Sequence, residues 1–255
     1  MNKFITASIV FLLLFPIIAN AQSWKLKRYE ASLGIGSVNF FGDIGGTEDI
    51  SNALGFKDIQ LQFTRPIISF GARYKITDNT SVKMNLSYGL MSGNDNGSRN
   101  DLRNFAFTST IFEPSFQFEY YILSEAKRKS SMALFNHRGM INNFSNLYLY
   151  LFSGVGGAIF NPKPSEEFVL YFKDNFSKFG IVVPVGIGLK IPFSSDWSLG
   201  FEFGRRFTTT DYIDGYTSKF SKHNDTYYFG VFSAIYKIRS NRNGLPVLRR
   251  RGYVR

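Results

Sequence analysis

The feature that most constrains this chain is a two-residue alternation, sustained over segments of about ten to fourteen residues. In the clearest of them Ile68, Phe70, Ala72, Tyr74 and Ile76 share one face, and Ser69, Gly71, Arg73 and Lys75 share the other. The turn-forming residues Thr77-Asp78-Asn79-Thr80 follow, and the pattern then resumes. Val82, Met84, Leu86, Tyr88 and Leu90 alternate with Lys83, Asn85, Ser87 and Gly89. Successive side chains of a strand point to opposite faces, so each segment is a strand with an apolar side and a polar side. Strands of soluble proteins typically run about 5 to 6 residues. A tilted strand that crosses a bilayer needs about 9 to 11. The length of these segments selects the second.

Further segments repeat the pattern. Phe112, Phe116, Phe118, Tyr120 and Ile122 alternate with Glu113, Ser115, Gln117 and Glu119. Ile181, Val183, Val185, Ile187, Leu189 and Ile191 alternate with Pro184, Gly186, Gly188 and Lys190. Trp197, Leu199, Phe201 and Phe203 alternate with Ser198, Gly200, Glu202 and Gly204. Less regular strands are expected over 29–41, 147–160 and 227–238, which brings the number to eight. An even number closing on itself satisfies every backbone group without water, as lipid requires. The predicted fold is all-β, an eight-stranded antiparallel transmembrane β-barrel over 29–238. Its polar faces carry Glu30, Arg73, Lys75, Lys83, Glu113, Glu119, Lys190, Glu202 and Arg206. Turned inward, they would fill a small barrel with a polar core rather than leave a channel. The charges are expected to be spread over the strands without clustering; a dry enzyme pocket is the other reading of the carboxylates.

The first residues read as a secretory leader: Lys3, an apolar run from Phe4 to Ile18, then Ala19-Asn20-Ala21 as a small-x-small cleavage pattern. A leader over 1–21, a short segment over 22–28 and a basic tail over 239–255 complete the expected organisation. The chain has no cysteine, which excludes disulfides, thiolate metal sites and a cysteine nucleophile. A leader followed by a barrel points to the outer membrane of a Gram-negative bacterium, with both termini periplasmic. The turns at 77–80 and 192–196 are then the short periplasmic ones, and 43–64, 92–103, 161–178 and 208–225 the longer outer loops. Residues 124–145 form a long insertion on the periplasmic side.

Charge is uneven on this topology. Loss of Lys3 with the leader takes the formal net charge from +11 to +10. Lys25, Lys27 and Arg28 stand before the first strand, and Lys127, Arg128, Lys129 and Arg138 stand in the insertion against one acid, Glu125. The tail brings Lys237, Arg239, Arg242, Arg249, Arg250, Arg251 and Arg255 with no acid at all. A basic face attracts anionic partners through its long-range field. Anionic phospholipid headgroups, a merely solvated tail and an acidic periplasmic protein all fit. For a protein partner the contact residues are expected to be Lys127, Arg128, Lys129, Arg138, Arg249, Arg250 and Arg251. Nucleic acid is not an expected partner of a secreted chain.

Several motifs, in order, carry a resemblance. Tyr29-Glu30 leads to Asn39-Phe40-Phe41-Gly42-Asp43-Ile44-Gly45-Gly46, and Thr64-Arg65-Pro66 opens a strand ending Gly71-Ala72-Arg73-Tyr74. Glu113 is followed by Glu119-Tyr120-Tyr121, and Phe160-Asn161-Pro162-Lys163 closes a glycine-rich strand. Pro184-Val185-Gly186-Ile187-Gly188-Leu189-Lys190 and Glu202-Phe203-Gly204-Arg205-Arg206, running to Thr210-Asp211-Tyr212-Ile213-Asp214, complete the set. In this order, over 29 to about 240, the chain resembles the PorG-type outer-membrane barrel of the type IX secretion system of Bacteroidetes. The resemblance implies a non-enzymatic barrel that assists export of cargo and associates with a periplasmic ring lipoprotein and its partner. Gly215 departs from the pattern, standing where a second acid after Asp214 is expected. Physically, Gly42, Gly45 and Gly46 allow positive φ where the first strand ends. Asp43, and Asp211 and Asp214 with Tyr212, suit turns in which a carboxylate bonds backbone amides. A cation site at Asp211 and Asp214 is the alternative, although no calcium-loop spacing is present.

Two other functions compete. A lipid-modifying acyl hydrolase needs a base beside a hydroxyl nucleophile, for which Ser221, His223 and Asp225 are the candidates, His137 being the only other histidine. A passive structural barrel needs nothing further. No cofactor, metal or catalytic set is expected.

Overall fold

A computed structural model describes residues 27–45, 64–95, 101–123, 147–172, 175–217, 224–241 and 245–247. Eight strands form one closed antiparallel barrel in sequence order. They are β1 (Tyr29–Phe41), β2 (Arg65–Lys75), β3 (Thr80–Asn94), β4 (Ala106–Leu123), β5 (Tyr148–Pro164), β6 (Phe179–Pro192), β7 (Trp197–Thr208) and β8 (Thr226–Ile238). The ring closes between β1 and β8, paired without interruption from Tyr29↔Ile238 to Phe41↔Thr226. One end of the barrel carries the short connections 76–79 and 193–196 and is here the turn rim. The other end is the loop rim.

Outward positions follow the apolar series read from the sequence: Ile68, Phe70, Val82, Met84, Phe116, Phe118, Ile181, Val185 and Leu199 are all exposed. At the turn rim this wall ends in aromatic pairs, Tyr29 with Tyr74 and Trp197 with Tyr236, the girdle expected of a membrane barrel at its interface. β4 and β5 lose their pairing around Pro114, which has no N–H to give, between Phe112↔Ile159 and Ser115↔Gly156.

The strands run further than the alternation suggests at the loop rim. β3 and β4 pair as far as Asn94↔Ala106, and β4 and β5 as far as Phe107↔Pro164. β2 and β3 are already unpaired beyond Ile67↔Gly89, so β3, β4 and β5 form a taller wall. Residues 92–94 and 161–164, expected in outer loops, are therefore strand. Polar, glycine and proline residues there mask a ladder that continues through backbone hydrogen bonds.

Phe70 sits mid-strand, 57% exposed, opposite Leu33 on β1 and Leu86 on β3. Phe70→Arg is expected to destabilise the barrel in liposomes by about 2–4 kcal/mol, the cost of a cation near the bilayer midplane. Urea unfolding in lipid measures it, and an unchanged midpoint would contradict a lipid-facing Phe70.

Candidate functional site

Inside the barrel the charged residues converge. Arg73 on β2 lies 3.0 Å from Glu30 of β1 and 3.3 Å from Glu202 of β7. It grips Glu119 of β4 with two nitrogens, Nε at 2.7 Å and Nη2 at 2.8 Å. Lys83 of β3 meets Glu202 at 2.6 Å, and the Tyr150 hydroxyl donates to the same carboxylate at 2.7 Å. Ser81 donates to Glu119 at 2.7 Å. Nearer the turn rim Lys190 and Lys75 both pair with Glu30, the latter at 3.2 Å. The expectation of unclustered charges is thus corrected: the tilt and stagger of the strands stack residues from β1, β2, β3, β4, β6 and β7 at one level. Such a network is stable because each carboxylate is met by a cation and by further donors.

Glu113 and Arg206 stand apart, towards the loop rim. Tyr227 donates to Glu113 at 2.7 Å, Arg206 lies 3.7 Å from it, and the Arg206 guanidinium covers the Phe229 ring at 4.1 Å. Around them the inward residues are apolar: Val38, Ile67, Met91, Ile111, Phe160, Val182 and Phe229 are buried together, with Ile213 of the last loop inserted among them. The interior is therefore ionic in its turn-side half and greasy in its loop-side half. The polar core expected throughout describes the first half alone.

The loop motif folds down as a stopper. Asp214 accepts from the Ile44 amide at 3.3 Å and from the Tyr216 amide at 2.9 Å, while Asp225 accepts from the Ile213 amide at 2.9 Å. Asp211 accepts from the Thr217 hydroxyl at 2.7 Å. Tyr212 stacks on Phe176 at 5.1 Å. Asp43 contributes its backbone carbonyl to Arg103 at 2.7 Å, and Arg103 also binds Asp95 at 2.8 Å. Among the described residues no group of three or more His, Asp or Glu is arranged to hold a metal ion. Gly45 has the positive φ expected of it, 77°. Gly42 does not; a Cβ there would stand 2.2 Å from the Asp225 carboxylate and 2.3 Å from the Phe40 ring, so both side chains would have to shift to admit one. Gly215 also has φ 77°, and a Cβ would stand 2.0 Å from Phe172, which explains why no acid occupies that position.

The turn rim is basic. Lys27 and Arg239 hold Asp196 at 2.9 and 3.3 Å, and the hydrogen bond from Lys27 keeps that carboxyl below the usual carboxylate range. Lys75, Lys190 and Lys237 line a small pocket with Tyr121, Tyr148, Thr77 and Asp78.

A model of the outer membrane protein beta-barrel domain matches residues 7–234 of this chain. The chain belongs to that family. It is an outer-membrane barrel, which accounts for a greasy exterior around an ionic interior. No curated protein matches it. Solved structures similar to this barrel include Ail of Yersinia pestis in complex with the heparin analogue sucrose octasulfate. That match has 11% identity and a TM-score of 0.41, over 82% of this chain and 98% of that one. Neisserial surface protein A matches at 10% identity and a TM-score of 0.40, over 82% and 96%. A major outer membrane protein from Thermus thermophilus matches at 11% and 0.42, over 82% and 98%.

Several sequence expectations lie outside the described residues: the leader, Gly46, the insertion with Lys127, Arg128, Lys129, Arg138 and His137, the pair Ser221 and His223, and Arg249, Arg250 and Arg251. Sequence reasoning missed Tyr150 and Tyr227 as partners of the interior carboxylates. Inward parity beside Glu-bearing strands was the available signal.

Arg73→Ala would leave three carboxylates sharing what charge remains, and is expected to destabilise the barrel by about 3–5 kcal/mol in denaturant titration. The stopper has its own pH dependence. Burial, with repulsion from one another and from Asp43 and Asp211, pushes the Asp214 and Asp225 carboxyls well above the usual range. A carboxyl raised in the folded state contributes stability that is complete below its unfolded value of about 3.9 and is lost as pH climbs through the raised value. Protection of the Ile44 and Ile213 amides from hydrogen exchange is therefore expected to fall with rising pH. Asp214→Asn and Asp225→Asn are expected to flatten that fall.

Proposed function

We propose that this protein is a non-enzymatic barrel component of a protein secretion machine of the type IX kind found in Bacteroidetes. The barrel anchors in the outer membrane, and the basic turn-rim face docks the periplasmic ring lipoprotein and its partner. The concentration of cations at one end of the barrel carries this reading. Lys27, Arg28, Lys75, Lys237 and Arg239 gather there, around Asp78 and Asp196. The segments that continue from this rim add Lys127, Arg128, Lys129 and Arg138, and beyond β8 Arg249, Arg250 and Arg251. Short turns face the periplasm in bacterial barrels, which puts this face and both termini on the ring's side. The ordered motifs from Tyr29-Glu30 to Asp214 give the machine its name. A barrel blocked by ion pairs and a loop stopper suits an anchor rather than a conduit.

Docking through a charged face depends on complementary charge. Full-length tagged protein, extracted in detergent, is expected to bring the ring lipoprotein with it. Reversing Arg249, Arg250 and Arg251 to Glu together is expected to cut that recovery roughly tenfold or more, about 1.4 kcal/mol. Recovery unaffected by the reversal would remove the tail from the docking face. Absence of the lipoprotein from the unaltered preparation would remove the secretion role.

A further inference from the structure

Five strands bring side chains to one pocket at the turn rim. Lys75 closes β2, Tyr121 stands near the end of β4, Tyr148 opens β5, and Lys190 and Lys237 stand near the ends of β6 and β8. Asp78 of the β2–β3 turn lines the same pocket. Register turns the three lysines inward. Lys75 lies two residues from Arg73, Lys190 pairs with Tyr148, and Lys237 pairs with Glu30 across the β1–β8 seam. The pocket is therefore the mouth of the lumen and not a patch on the outer wall.

Its cations are held unequally. The Lys190 side chain is 2% exposed, and its ammonium lies 5.9 Å from the Tyr148 ring centroid. Lys75 is open to the mouth, 19% exposed. Both ammonium groups pair with the same oxygen, Oε1 of Glu30, and Arg73 takes Oε2. Three cations thus share one carboxylate. Neither of the other two acids relieves them. Glu119 is engaged by Arg73 and Ser81, and Glu202 by Lys83, Arg73 and Tyr150.

Among the described residues, the pocket and the network beneath it hold five cations, Arg73, Lys75, Lys83, Lys190 and Lys237. Against them stand four carboxylates, Glu30, Glu119, Glu202 and Asp78. One positive charge is left over, and it sits at the mouth, where Lys75 and Lys190 meet on one oxygen. Like charges repel strongly away from water, and a buried charge is stable when a partner compensates it. A single negative charge makes the assembly neutral. A carboxylate supplies that, whereas a phosphate dianion overshoots. A lipid headgroup is poorly placed to do so, because its acyl chains lie outside the wall and the pocket opens inside the ring of strands. The rim beside the mouth is basic as well, with Lys27 and Arg239 around Asp196. Such surroundings favour a carboxylate that arrives with others, on an acidic segment of protein.

We infer that the lumen mouth at the turn rim is a socket for one Asp or Glu side chain of an acidic protein segment, held between Lys75, Lys190 and Lys237. The socket lies in the docking face proposed above and rests on that reading for its partner. Full-length protein in phosphatidylcholine nanodiscs tests it, titrated with fluorescein-labelled hexaglutamate and followed by anisotropy, with hexaglutamine carrying the same dye as control. The unaltered protein is expected to bind the acidic peptide and not the control. Lys75→Gln is expected to weaken binding roughly tenfold, the scale of one charge-assisted hydrogen bond. Asp78→Asn is expected to strengthen it severalfold, and Lys163→Gln at the loop rim to leave it unchanged. Glu30 keeps Arg73 and Lys190 when Lys75 is replaced, so Lys75→Gln without peptide is expected to keep the urea midpoint of the unaltered protein. A lowered midpoint would make Lys75 a structural ion-pair partner and overturn the socket. Should Lys75→Gln fail to fold, Asp78→Asn in its exposed turn carries the test.

Equal binding by the folded variants, or displacement by inorganic phosphate beyond that by chloride of the same ionic strength, would overturn the assignment. So would phosphatidylglycerol retained in native mass spectra by the unaltered protein and lost in Lys75→Gln. Binding that appears only in Glu125→Gln would overturn it too, giving the socket to this chain's own insertion. Recovery of the ring lipoprotein is read separately. Peptide binding with no lipoprotein recovered would support the socket and remove the secretion role. Lipoprotein recovered equally by the unaltered protein and by Lys75→Gln would support docking and overturn the socket.

Discussion

A strand in hydrocarbon has no water to satisfy its edge, and so the β1–β8 seam is what the rest of this structure depends on. Its pairing from Tyr29↔Ile238 to Phe41↔Thr226 leaves neither edge open. Closing at eight strands fixes the radius, and a ring of that size holds side chains but not a channel. The consequences follow inward. Whatever points into the ring loses most of its water, and its charges must find one another.

The interior meets that demand in two ways along its axis. On the turn side Arg73 is surrounded by Glu30, Glu119 and Glu202, and Lys75, Lys83, Lys190, Ser81 and Tyr150 supply further donors. On the loop side the solution is to carry few charges. Val38, Ile67, Met91, Ile111 and Phe160 pack as in a soluble core, and Ile213 closes it from above. An ionic half beneath an apolar half makes the barrel a solid post.

The inward positions of Glu30, Arg73, Lys83, Glu113, Glu119, Lys190, Glu202 and Arg206 were legible from parity alone, because a period of two admits one assignment once the greasy face is known. Their meeting was not legible. Lys83 and Glu202 are 119 residues apart, and their contact exists only because strand stagger brings β3 and β7 to one level across the lumen. The apolar half was hidden for a different reason. Where Ile67 adjoins Ile68 and Ile111 adjoins Phe112, both faces are apolar, and alternation loses its sign. Arg205 follows the parity rule: it continues the odd-numbered series of Trp197, Leu199, Phe201 and Phe203, so parity already turns it outward while Arg206 turns inward. Gly215 looks like a departure from a motif in sequence and a steric necessity in three dimensions, since Phe172 occupies the space of its side chain.

By itself, the sequence determined the number of strands and the face each one turns to lipid, because both depend on local period. Tertiary structure decided which charges pair, where the interior changes from ionic to apolar, and how far β3, β4 and β5 rise above their neighbours. The reason is that those properties belong to register and closure, and register is a relation between strands that no single strand carries.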